Sequence, residues 1–354
     1  MALIGWDIGG AHLKAARCEE GRIVATAQVA APLRLGLERL GHAFAEAKAL
    51  IGSAGCHLVT MTGELADTFS SRAEGVARLI DAAVRELAPG RVVVYAGRAG
   101  FVTPADAANH VTDIASANWF ASASVLGKRI GSSLLMDTGS TTTDIVPIVN
   151  GTVAAHGYTD AERLVKGELV YTGLVRSFLM ATVQQVPFAG SWSTLIHENF
   201  STMADVHRIL GSLPDGADQM ASADGRAKTI AASRARLARI VGRDAEDADP
   251  SAWIALARYF VEMQIRAITD GVMLVLSRGE LPASAPIVVA GIGADLLREV
   301  ARRMSRECID FDALVDVSPD ARPTVSAVAP AASVAILGSQ AEKYFGHCVG
   351  LAVP

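Results

Sequence analysis

The chain has 354 residues, 51% of them hydrophobic, with a formal net charge of -5 and a pI near 5.9. That length supports one large or two medium domains with substantial cores, and that apolar fraction excludes a disordered chain. The acidic balance, without a clustered Lys/Arg tract, excludes the electrostatic footprint of a nucleic-acid binder or of a protein held on an acidic membrane.

The N-terminal MALIGWDIGG has neither a basic n-region nor a cleavable apolar h-region, so no secretory signal is expected. Cys18, Cys56, Cys308 and Cys348 have no CxxC or zinc-ligand spacing, which fits reduced thiols in a cytoplasmic protein. ALIGWDI, HLKAARC and GRIVATAQV read as three strands in quick succession, and a helical pattern follows from Leu35 to about Ile51. CHLVTMTGE reads as a buried strand and loop, Ser70 to Leu87 as a helix, RVVVYA as a buried strand, and Asp113 to Arg129 as a helix. The pattern then restarts. SSLLMDTG, TTDIVPIV and GTVAAHGY give three more strands, a helix follows, and APIVVAGIGADLLREVARRM gives strand, glycine turn and helix. A last helix is expected from Ala331 to Tyr344.

The repeated order of elements predicts an α/β protein of two similar lobes with a cleft between them. Residues 1–130 form the N-terminal lobe, and 131–159 with 251–354 the C-terminal lobe. Residues 160–250 break the rhythm with polar and small residues, and their length favours a structured insertion, read as a cap, over a loose loop. The longest apolar stretch, Trp253 to Leu276, carries Arg258, Glu262, Arg266 and Asp270 at every fourth position. That stripe suits a solvated helix edge and excludes an ordinary membrane span.

The chemistry gathers at Asp7-Ile8-Gly9-Gly10 and Asp137-Thr138-Gly139-Ser140. Each places an Asp at the end of an apolar strand and a glycine two residues later, where backbone N–H groups can turn toward a ligand. One Asp-x-Gly alone is usually a hairpin turn; two at equivalent places in a duplicated layout point to phosphate. Gly9, Gly10, Gly139, Ser140, Thr141 and Thr142 are the phosphate-binding candidates. Asp7, Asp137 and Asp144 are the carboxylates for Mg²⁺, held mainly through water. Gly291 and Gly293, ahead of a helix starting near Ala294, add a third anion-favouring turn.

GWDIGGAHLKAA, LLMDTGSTTTDI and IVVAGIGADLL resemble the two phosphate loops and the adenosine motif of the actin-like ATPase superfamily of sugar kinases, Hsp70 and actin. The resemblance implies two ribonuclease H-like lobes. Ala11 stands where kinases often carry Thr or Ser, and Ala290-Gly291-Ile292-Gly293 is leaner than the usual glycine run, so ATP as a ligand stays open. DIGGAHLKAA, MTGELADTF, SANWFASA, GELVYTG, ENFSTMADVHRILG and SADGR resemble the hydantoinase/oxoprolinase-related family linked to tetrahydromethanopterin one-carbon metabolism. Its archaeal members resemble the enzyme that makes the aryl ether of methanofuran.

That resemblance implies a transferase of methanofuran or methylofuran biosynthesis. It would join an aminomethylfuran-methyl diphosphate to the phenol of a tyramine or tyrosine acceptor, with or without a γ-glutamyl group, and release pyrophosphate. For the base, Glu168 in KGELVYTG stands first and Asp160 next, with Lys14 adding charge near the first loop. Glu64, Asp67, Asn118, Trp119, Tyr171 and Arg176 are candidates for the acceptor pocket. His12 reads as a packing residue, and His197 and His207 as incidental. The rival readings are an ATP-dependent small-molecule kinase or hydantoinase-like amidase, and a nucleotide-dependent assembly protein. Small-molecule partners are expected, and a homo-oligomer stays open.

Overall fold

The computed structural model describes residues 2–341; Cys348 and the end of the expected last helix lie outside the described residues. In chain order, β1 (Ala2–Ile8), β2 (His12–Glu19) and β3 (Arg22–Ala30) precede α1 (Glu38–Ile51), β4 (Cys56–Met61), α2 (Arg72–Leu87), β5 (Arg91–Tyr95) and β6 (Phe101–Val102). Then come α3 (Val111–Ile114), α4 (Asn118–Gly127), β7 (Ser133–Thr138), β8 (Thr143–Val149), β9 (Thr152–Val153), α5 (Asp160–Val165) and β10 (Leu169–Val170). The insertion supplies α6 (Leu179–Thr182), β11 (Gln185–Phe188), β12 (Ser191–Thr194), α7 (Met203–Leu210) and α8 (Ile230–Arg239). The chain finishes with α9 (Pro250–Leu276), β13 (Ile287–Ala290), α10 (Ala294–Arg303), β14 (Cys308–Asp310), α11 (Phe311–Leu314), α12 (Arg322–Val325) and α13 (Ala329–Gln340).

The first sheet has the order β3-β2-β1-β4-β5-β6. β1, β2 and β3 are antiparallel neighbours, whereas β4 and β5 run parallel to β1. The second sheet has the order β10-β8-β7-β13-β14, with β9 also on β8 and β13 parallel to β7. An antiparallel start followed by parallel strands on the other side of the first strand is the actin-like, ribonuclease H-like plan. It occurs in both sheets, as the repeated order of elements predicts.

Packing divides the chain into two units: residues up to 133, 146–162 and from 309 in the first, and 134–145 with 163–308 in the second. This differs from the expected boundaries, which put the C-terminal stretch in the second lobe. The reason is α13. It is buried on every side from Ala329 to Gly338, and only small residues let its backbone lie directly on β1. A Cβ at Gly5 would sit 2.0 Å from the Ala331 carbonyl oxygen and 2.9 Å from the Ala335 nitrogen. Residues 316–318 also pair with Ile23 and so cover the edge at β3.

The opposite face of β1 carries Trp6, edge-on to Phe44 of α1 at 4.9 Å. The Trp6 indole donates to Nδ1 of His57 in β4 at 3.1 Å, which requires a neutral ring. Burial, with Lys48 adding to it, lowers the His57 pKa to about 4.

Two other elements depart from expectation. The helix expected over 113–129 breaks at Ala115-Ser116-Ala117, where Ser116 takes φ +52°. Residues 179–240 carry helices and a two-stranded sheet. Leu179, Phe188, Met203, Val206, Leu237 and Ile240 form a core with Trp253 and Phe260 of α9, and Phe188 stacks on Trp253 at 4.7 Å. On α9, Arg266 pairs with Asp270 at 2.7 Å, while Glu262 reaches Arg303 of α10 instead. Among the described residues no helix is long and apolar enough to cross a membrane.

Gly5→Ala is expected to lower the thermal midpoint by roughly 3–10 °C, because overpacking costs about 1–3 kcal/mol. Differential scanning calorimetry checks this, and an unchanged midpoint would mean that α13 does not lie on β1. His57 sets a pH window. Its folded pKa is depressed, so its contribution is full above the unfolded value of 6.5 and is lost as pH falls toward about 4. Thermal midpoints across that range should fall, and a His57→Gln variant should flatten this part of the curve.

Candidate active site

In the first unit β1, β4 and β5 run parallel, so their carboxyl ends share one edge of the sheet, where loops present side chains. Residues 9–12 turn β1 back into β2, and the Gly9 N–H donates to the His12 carbonyl at 2.9 Å. A Cβ on Gly9 would press on that same oxygen at 3.0 Å, so the turn needs glycine. Asp7, only 3% exposed, accepts from Asn118 Nδ2 at the start of α4 at 3.3 Å. Pairing sets Lys14 directly opposite Asp7 on the same face of the sheet.

The loop after β4 is built onto this hairpin. The Thr62 and Gly63 N–H groups both donate to the Ile8 carbonyl, at 3.0 and 2.9 Å. The next residue is Glu64, 1% exposed. α2 lies against its backbone, since a Cβ at Gly75 would sit 2.4 Å from the Glu64 carbonyl oxygen. Ser116 Oγ is 2.7 Å from Glu64 Oε1 and 3.1 Å from Asp160 Oδ2. Arg72 Nη2 is 3.2 Å from the same Asp160 oxygen. Glu64 Oε2 is buried with no hydrogen-bond partner. Burial pushes the Glu64 pKa up, and the Asp160 charge adds to the rise against the opposing effects of Ser116, of Glu64's own backbone N–H and of Arg72.

Beside this cluster Trp119, Phe120 and Tyr158 pack edge to face. The Tyr158 hydroxyl donates to the Asp113 carbonyl at 2.8 Å, and the Arg98 guanidinium lies 4.3 Å from the ring centre. Burial raises the Tyr158 pKa to about 12.

The second unit repeats the hairpin. Residues 139–142 close with Gly139 N–H on the Thr142 carbonyl at 2.9 Å, the same bond at the same spacing as in 9–12. Asp137, two residues earlier, is buried like Asp7. Residues 173–176 strap this hairpin from outside. Leu174 N–H donates to the Gly139 carbonyl, and Val175 and Arg176 N–H donate to that of Ser140 at 3.1 and 2.7 Å. A Cβ at Gly173 would meet the Thr141 nitrogen at 2.5 Å. Gln264 of α9 holds the strap, donating to Thr172 Oγ1 at 3.0 Å and the Gly173 carbonyl at 2.9 Å. Its amide oxygen accepts from His207 Nε2 at 3.0 Å, and Ser212 Oγ donates to Nδ1 at 2.9 Å. Burial lowers the His207 pKa and keeps this neutral tautomer. His207 is therefore a structural member of the strap, not an incidental residue.

Several expectations need correction. Asp144 does not face the hairpin as an open metal ligand: Arg163, itself buried, holds it at 2.8 Å. Glu168 is fully buried and 2.5 Å from Arg278, whose other nitrogen donates to the Lys166 carbonyl. A buried carboxylate locked onto a guanidinium serves the fold, so Glu168 is structural. Gly291 and Gly293 are needed for packing, since Cβ atoms there would lie 2.3 Å from Asp137 Oδ1 and 2.5 Å from Thr138 Cγ2. Arg176, expected in the acceptor pocket, is 3.4 Å from Thr141 Oγ1 at the second hairpin. Tyr171 is 70% exposed and Asp67 is exposed too. Ser116 and Arg72 carry no periodicity or motif signal of their own and were missed; only the SANW string of the resemblance touches Ser116.

A model of the hydantoinase/oxoprolinase family, Hydantoinase_A, matches residues 56–318. The chain belongs to the hydantoinase/oxoprolinase family. Two relatives in this family carry the name (4-{4-[2-(gamma-L-glutamylamino)ethyl]phenoxymethyl}furan-2-yl)methanamine synthase. The one from Methanocaldococcus jannaschii is 30% identical over 242 residues, 68% of this chain and 72% of the relative. The one from Methanococcus vannielii is 28% identical over 204 residues, 58% of this chain and 89% of the relative. Nucleotide-free acetone carboxylase shares the fold, with a TM-score of 0.61 at 12% identity over 94% of this chain and 70% of that one.

If Glu168 is structural, Arg278→Met alone should cost about 3–5 kcal/mol by leaving a buried charge unpaired. The Arg278→Met, Glu168→Leu double variant should recover most of that. Urea unfolding of both checks it, and a double variant as unstable as the single would argue against a simple ion pair.

Proposed function

We propose that this chain is an aryl-ether synthase of methanofuran-type cofactor assembly. The phenol oxygen of a tyramine- or tyrosine-like acceptor attacks the methylene carbon of an aminomethylfuran-methyl diphosphate, and pyrophosphate leaves. The observation that carries the reading is the twin hairpin, each closed by the same glycine N–H bond and each two residues after a buried Asp. It occurs in a chain whose relatives are named for a phenoxymethyl-furan product.

The furan ring spreads positive charge away from the methylene carbon, so cleavage of the C–O bond to the diphosphate leads. Transition-state stabilisation then means accepting negative charge on the departing pyrophosphate. In the first unit the 9–12 hairpin and Lys14 are suited to this. In the second, so are the 139–142 hairpin with Ser140, Thr141 and Thr142, and Arg176 beside Thr141. Among the described residues no group of three or more His, Cys, Asp and Glu is placed to hold a metal ion. Within its own unit, Asp7 or Asp137 is the carboxylate suited to a Mg²⁺ held largely by water and phosphate oxygens. When bound, Mg²⁺ offsets charge on the leaving group. The acceptor's proton goes to a carboxylate of the Glu64–Asp160 cluster.

Mixing the furan-methyl diphosphate, tyramine or its γ-glutamyl derivative, and Mg²⁺ should give equal amounts of ether and pyrophosphate, read by mass spectrometry and a coupled phosphate assay. Asp7→Asn or Asp137→Asn should lower kcat/KM by about a hundredfold. ADP formed in step with product would select the kinase or amidase reading instead.

A further inference from the structure

Ser116 sits at φ +52°, a left-handed conformation in which a glycine would be at ease and a serine is strained. The position keeps a side chain at an energetic cost, and that side chain is a hydroxyl touching two carboxylates at 2.7 and 3.1 Å. A hydroxyl has one proton to donate. With both carboxylates ionised, one contact would set oxygen against oxygen with no hydrogen between. The contact is satisfied when one carboxyl is protonated and donates to Ser116 Oγ, which in turn donates to the other.

Their surroundings decide which is which. Glu64 is buried and its Oε2 has no hydrogen-bond partner, an arrangement costly for an anion and tolerable for a neutral acid. Asp160 receives Arg72, and its side chain is 19% exposed. Asp160 and Arg72 are the charges that act on Glu64. We infer that Ser116 links a protonated Glu64 to an ionised Asp160 in one directed hydrogen-bond chain, and that this sets Asp160 as the base for the acceptor phenol.

The role rests on the synthase reading above. As the phenol oxygen bonds to the methylene carbon, the C–O bond to the diphosphate breaks and its electron pair leaves with pyrophosphate. The phenol proton passes to Asp160 and then, from its exposed side, to water. Glu64 keeps its proton throughout. Ser116 and Glu64 are positioning residues, and Asp160 is the group that meets the substrate.

The test compares Ser116→Ala, Ser116→Gly, Glu64→Leu, Glu64→Gln and Asp160→Asn in the full chain. Both Ser116 variants should lose about tenfold in kcat with little change in KM for the diphosphate, and the acid limb of their pH profile should move. Ser116→Gly should do so while matching or exceeding the wild-type thermal midpoint, which separates the lost hydroxyl from damage to the fold. Glu64→Leu should fall similarly, and Glu64→Gln, which keeps an N–H donor toward Ser116, should recover most of the loss. Infrared difference spectroscopy at neutral pH should show a protonated carboxyl band that disappears in Glu64→Leu and persists in Asp160→Asn. Wild-type kcat and pH profile in Ser116→Gly, or absence of that band, would overturn the inference. Presence of the band in a wild-type protein that makes no ether would sink the synthase reading and leave the carboxyl pair standing.

Discussion

A carboxylate buried at the carboxyl end of a central strand is expensive unless fixed dipoles surround it. Asp7 and Asp137 are both such residues, and much of the local architecture follows from accommodating them. After each comes a glycine hairpin, and in the first a Cβ on Gly9 would press on the His12 carbonyl at 3.0 Å. Each turn starts two residues after its carboxylate and closes on its own backbone, Gly9 N–H on the His12 carbonyl and Gly139 N–H on that of Thr142. Gly291 shows how tight the packing is, since any Cβ there would collide with Asp137. The same constraint met twice gives two units of one plan.

Carboxylates of identical chemistry take different tasks according to the partner each meets. Asp144 and Glu168 face arginines whose other nitrogens are bound to backbone carbonyls, so the pairs are fixed and spent on the fold. Glu64 and Asp160 meet across a serine hydroxyl, a partner able to donate to one and accept from the other. That difference separates carboxylates locked into ion pairs from a pair bridged by a hydroxyl.

The insertion is more than a decoration of the second unit. Arg236, fully buried, joins Asp205 of α7 to Asp224 of the SADGR segment at 2.7 and 3.0 Å, so that part of the family resemblance reflects a structural ion network. From the same region His207 and Gln264 carry hydrogen bonds to Thr172 and Gly173, and Gly173 presses on the 139–142 hairpin. A rigid core thereby fixes the backbone of a loop that would otherwise be held only at its own ends.

What the sequence determined by itself is local. Strand alternation, the glycine hairpins after Asp7 and Asp137, and the recurrence of that layout are written within a few residues of chain, because a turn's φ/ψ demand is met by the residues in it. Tertiary structure decided the rest. Glu64 meets Ser116 across 52 positions, Asp160 meets it across 44, and Glu168 meets Arg278 across 110. No periodicity connects residues so far apart, so only packing could say which carboxylate an arginine would lock and which a hydroxyl would bridge. Packing likewise assigned α13 to the first unit, because the fit of a small-residue helix against Gly5 depends on a surface assembled from both ends of the chain.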